Sequence, residues 1–93
     1  MTTKLAEIKD LTVLILDTLR ESRYGGLSTS AEEVSEWRRQ AIGAQDLEAA
    51  GGVFDEVLCL FEDGELPKCC NGLTKDQLRR ITEAEEEMAL YHA

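Results

Sequence analysis

KLAEIKDLTVLILDTLRESR, residues 4–23, is the stretch whose reading decides the fold. Leu5, Ile8, Leu11, Ile15 and Leu19 recur three or four residues apart, the spacing that lines up side chains on one face of an α-helix. Val13, Leu14 and Leu16 widen that stripe. Thr2 or Thr3 can cap the first turn, and Gly25-Gly26 supplies backbone that leaves a helix without a Cβ penalty. A first helix over about residues 4–23 follows. Its charges cancel: Lys4, Lys9, Arg20 and Arg23 face Glu7, Asp10, Asp17 and Glu21.

A helix apolar over most of its circumference is normally buried all round. A homodimer joined through Leu11, Val13, Leu14, Ile15, Leu16 and Leu19 would achieve this. The rival is a monomer in which helix 1 is the central helix.

Downstream, Ser30-Ala31-Glu32-Glu33 reads as a capping box, with hydroxyl and carboxylate each answering an orphaned backbone N–H. The second helix is expected to run to about Ile42 with Val34, Trp37 and Ala41 inward, and to end at Gly43. Leu47, Phe54 and Phe61 stand seven apart, with Ala50, Val57 and Leu58 between them. That pattern predicts one helix from Ala44 to Asp63, in which Gly51-Gly52 admits a close neighbour. The two glycines cost about 2 kcal/mol in helix propensity, so a break there is the alternative. Gly64 and Pro67 read as a stop, and Lys68 to Gly72 as a loop. Thr74-Lys75-Asp76-Gln77 is a second capping box, opening a last helix from Lys75 to Tyr91 with Leu78, Ile81, Ala84, Met88 and Tyr91 inside. The expected fold is all-α, a single domain over residues 1–93 built as a small four-helix bundle with short connections.

Composition narrows the function. The chain holds 93 residues, 43% hydrophobic, with 19 acidic against 10 basic residues and a net charge of −9. Such a charge repels nucleic acid, anionic lipid and acidic substrates, and favours a protein partner with a basic surface. The longest apolar run, Val13 to Leu16, is far short of the ~20 residues that span a bilayer. Three cysteines and no recognisable secretion signal point to a reducing, cytoplasmic setting.

Catalytic and metal chemistry find few candidates. His92 is the one histidine. Ala89 stands three residues before it, where the carboxylate-bridged metal centres of helical bundles place a glutamate. Cys69-Cys70, with Cys59 upstream, lacks the two-to-four-residue spacing of a zinc knuckle, and Cys59 between Leu58 and Leu60 reads as a small buried hydrophobe. The glycine pairs match no phosphate-binding loop, and Arg38-Arg39 and Arg79-Arg80 are isolated among acids. No cofactor, metal or direct nucleic-acid contact is expected, and the chain reads as a non-enzyme.

What remains is the acid. All of its excess falls after helix 1. In the last helix Arg79 and Arg80 precede Glu83, Glu85, Glu86 and Glu87, an order opposed to the helix dipole by about 0.3–1 kcal/mol per charge. Glu62, Asp63, Glu65, Glu83, Glu85, Glu86 and Glu87 are the candidate partner-binding residues; a solvated face kept for solubility is the other reading. In size, acidity and want of a catalytic centre the chain resembles small phage-encoded inhibitors, among them anti-CRISPR proteins and DNA mimics, a likeness of class that assigns no residue a role. It implies a protein, in the host cytoplasm if phage-encoded, that blocks or regulates a basic, nucleic-acid-binding site on a larger protein. A structural or adaptor subunit of a larger assembly is the alternative, and a small metal-binding protein or enzyme the third reading.

Overall fold

Thr3 opens the first helix by accepting a hydrogen bond from the Ala6 N–H at 3.1 Å. The computed structural model describes residues 3–22, 30–61 and 65–91, with the side chain of Tyr91 excepted. Five helices follow one another: α1 (Lys4–Glu21), α2 (Ala31–Gly43), α3 (Leu47–Leu58), α4 (Leu66–Cys69) and α5 (Lys75–Tyr91). No strand occurs among the described residues. The all-α expectation is met, with five helices among the described residues where four were expected. The proposed stop at Gly25-Gly26 lies outside the described residues.

Both capping boxes form N-caps. Ser30 Oγ accepts from the Glu33 N–H at 3.2 Å. Thr74 Oγ1 accepts from the Gln77 N–H at 3.1 Å, while Gln77 Oε1 accepts from the Thr74 N–H at 2.8 Å, so this box is reciprocal. The third helix departs from expectation at both ends. Asp46 is extended, with φ −140° and ψ 167°, and its carboxylate accepts from the Ala49 N–H at 2.8 Å, so α3 begins at Leu47 rather than Ala44. At the other end Leu60 and Phe61 donate backbone N–H groups to Val57 and Leu58, three residues back. This tighter winding closes α3 at Leu58 instead of carrying it to Asp63. The helix passes unbroken through the glycine pair. Gly51 is buried and Gly52 is exposed with open space where a Cβ would stand, so only Gly51 sits on a packed face.

Pro67 starts a helix here rather than stopping one. It occupies the first turn of α4, where its missing N–H would find no intrahelical acceptor anyway. The segment read as a loop from Lys68 thus contains part of a helical turn. Its continuation presses on α1: a Cβ on Gly72 would lie 3.3 Å from Thr18 Cγ2.

One buried cluster draws on all the helices. Ile8, Leu11, Ile15, Leu16 and Leu19 come from α1, Val34 and Ala41 from α2, and Ala50, Val53, Phe54 and Val57 from α3. Cys69 of α4 joins them, as do Ile81, Ala84 and Met88 of α5. The aliphatic core stabilises by about 25 cal/mol per Å² of apolar surface withdrawn from water. Close backbone approaches join α1 to α2, α1 to α3 and α2 to α3. α1 thus packs on both α2 and α3, and its apolar stripe is covered within one chain. Leu11, Ile15, Leu16 and Leu19 are buried there, and Val13 and Leu14 half-buried against the same core. The surface that suggested a homodimer through α1 is thus already occupied. Two buried threonines on α1 satisfy their hydroxyls locally, Thr12 donating to the Ile8 carbonyl at 2.8 Å and Thr18 to that of Leu14 at 2.7 Å.

Candidate interaction surface

α5 lies against α1 in the opposite sense. Gly72, just before it, meets Thr18; Arg80 pairs with Glu7; and Glu87 pairs with Lys4. This contact explains the charge order of the last helix. Glu87 near the end of α5 and Lys4 at the start of α1 each oppose their own dipole, and each answers the other across the interface. Lys4 also reaches Glu7 at 3.5 Å, and Arg80 reaches Glu83, so the pairs form a connected network.

The predicted acidic residues are thereby divided. Glu83 is held by Arg80 and, at 4.0 Å, by Arg79. Glu87 is held by Lys4 and Glu65 by Lys68 at 3.7 Å. Glu85 and Glu86 are exposed and make no ion pair among the described residues. Glu62 and Asp63 lie outside the described residues. The structure adds carboxylates that were not singled out: Glu48, Asp55 and Glu56 on the exposed face of α3, Glu32 on α2 and Asp10 on α1. None of these is ion-paired among the described residues. The signal for the α3 face was available, because Glu48, Asp55 and Glu56 occupy the positions complementary to the stripe of Ala50, Phe54 and Val57.

Cations are nearly all engaged. Arg38 donates its Nε–H to Asp17 at 3.0 Å, tying α2 to α1. Arg20 stands 3.9 Å from the same carboxylate, and Arg39 pairs with Glu36. The Gln40 amide first, then the Arg39 guanidinium, hold the Glu36 carboxyl below its usual range. Lys9 donates to the Ala44 carbonyl at 3.0 Å and ties down the end of α2. Among the described cations, only Lys75 lacks such an engagement.

A hollow of about 480 Å³ is an open groove between α1 and α2, lined by Arg20, Ser35, Arg38, Arg39, Ile42 and Gly43. Ile42 at 50% and Leu90 at 78% exposure are the large apolar side chains left in solvent among the described residues.

The cysteines do not converge. Cys59 is exposed, a correction to its reading as a buried hydrophobe, because α3 ends before it and turns it outward. Cys69 and Cys70 are buried. Among the described residues no three His, Cys, Asp or Glu side chains assemble as a metal ion would require. His92 lies outside those residues. The described residues also contain no helix long and apolar enough to cross a membrane.

Comparison of the chain with family models, with curated proteins and with solved structures finds no match.

Proposed function

We propose that this chain is a non-enzymatic interaction protein that binds a basic surface on a larger protein and blocks or regulates it. The observation that carries the reading is the imbalance left after internal pairing. The described cations other than Lys75 are engaged within the fold, whereas Glu48, Asp55, Glu56, Glu85 and Glu86 stay exposed and unpaired among the described residues. Exposed carboxylates on α3 and α5 contribute little to folding, yet they steer a basic partner and raise its association rate. A nucleic-acid-binding site is the strongest form of such a target, in keeping with the likeness to small phage-encoded inhibitors. The proposed setting is the cytoplasm, where an exposed thiol such as that of Cys59 stays reduced.

Asp55→Lys with Glu56→Lys tests the reading. Both residues sit in the last turn of α3, where a basic side chain suits the helix dipole, so the variant should fold as well as the parent. Affinity capture with the parent should recover a basic protein whose binding weakens steeply between low and moderate salt. The double variant should lose that partner, chiefly through slower association. Unchanged affinity in a folded double variant would reject the acidic surface.

A further inference from the structure

We propose that the groove between α1 and α2 is a docking site for a second copy of this chain, which inserts the exposed ridge of its α5. The two surfaces are complementary in order and in sign. In the groove, Ile42 is preceded by Arg38 and Arg39, four and three residues back on α2. On the ridge, Leu90 is preceded by Glu86 and Glu87 at the same offsets on α5. Residues at these offsets share a helix face, so each surface presents one apolar side chain with charge one turn before it. Ile42 and Leu90 are also the large apolar side chains left exposed among the described residues.

The groove is prepared to receive a carboxylate. Asp17 pins Arg38 through Nε at 3.0 Å, which orients the guanidinium and leaves its terminal nitrogens without a described acceptor. Arg39 is 77% exposed and held only from its own helix, by Glu36. Gly43 leaves the groove edge open, with nothing within 4 Å of where a Cβ would stand. On the ridge Glu86 is exposed and unpaired, and a guanidinium fork suits a carboxylate. Copies of net charge −9 repel at long range. At about 0.15 M salt that repulsion is screened beyond roughly 8 Å, while contacts inside the groove are not. Because groove and ridge are different patches, the contact is head-to-tail and builds a ring or an open filament.

The test uses the purified protein alone, so its outcome is independent of any basic partner. Sedimentation velocity and light scattering at about 0.15 M salt should show mass rising with protein concentration. Arg39→Glu and Glu86→Arg should each weaken association roughly tenfold or more, since each sets like charges in contact. Mixing the two variants in equal amounts should restore it, because each then carries what the other lacks. Circular dichroism confirms that both fold, as neither residue is buried. Ile42→Ser, which alters no charge, should weaken association as well. A monomer at high micromolar concentration would overturn the proposal. So would association indifferent to both charge variants, or a mixture that associates no better than either variant alone.

Discussion

Burial, and after it the adjoining Cys69, pushes the Cys70 thiol up to about 11. The side chain is fully buried, with Sγ 3.8 Å from the Ile15 carbonyl oxygen. In the unfolded chain a cysteine ionises near pH 8.5. Below that pH both states hold the proton, and the contribution of this group to stability is complete. As pH rises from about 8.5 toward 11 the unfolded state releases a proton that the folded state keeps, so stability falls. The urea midpoint should therefore drop across that window with a steeper slope in the parent than in Cys70→Ala. A thiol reagent at pH 8 should label Cys59 quickly and reach Cys69 and Cys70 only on unfolding; equal slopes and three fast thiols would contradict the burial. The sequence did not disclose which cysteine faces solvent. Leu58 and Leu60 flank Cys59 and suggest a core position, but side-chain direction there depends on where α3 stops winding, which hangs on hydrogen bonds three residues long rather than four.

Helix starts were more legible than helix stops. Ser30 and Thr74 announce themselves by a second polar residue three positions on, whereas Asp46 has Ala49 there and offers one half of the signal. Asp46→Ala should nonetheless cost about 1 kcal/mol, the usual loss for an N-cap whose side chain holds a backbone N–H. Within the same helix Gly52→Ala should stabilise by about 0.5–1 kcal/mol, because the site is exposed, helical and sterically open. Chemical denaturation of the two variants against the parent measures both. A destabilised Gly52→Ala would mean that α3 does not run through the glycine pair. The seven-residue spacing of Leu47, Phe54 and Phe61 was a true guide to which residues meet the core, since Phe61 packs against it half-buried. It misled on length, because a tighter final turn brings Phe61 to the same side without prolonging the α-helix.

Across the whole molecule, the clasp between α1 and α5 decides which acids are available. Lys4 meets Glu87 and Glu7 meets Arg80 over most of the length of the chain, and no local pattern announces such a pairing. Periodicity could say that Glu83, Glu85, Glu86 and Glu87 share a helix; it could not say that two are engaged and two are not. Reversing Glu83, Glu86 and Glu87 together would break the pairs made by Glu83 and Glu87, whereas the helix dipole alone would favour basic residues there. Glu87→Lys, set against Lys4, should lower stability by up to about 1 kcal/mol, the range for partly exposed pairs, and the deficit should shrink as salt is added. Lys4→Glu in the same chain should recover the loss, a result that thermal unfolding of the single and double variants can read. Failure of that rescue would remove the clasp from the account.

The order of elements also bears on how the protein is made. α1 leaves the ribosome well before α5, which clasps its flank. At a synthesis rate of about 5–20 residues per second, the 17 residues of α5 alone take roughly 1–3 s to appear. Throughout that interval a nascent chain holds α1 without its α5 neighbour, and so presents chaperones with a core to which Ile81, Ala84 and Met88 have yet to be added.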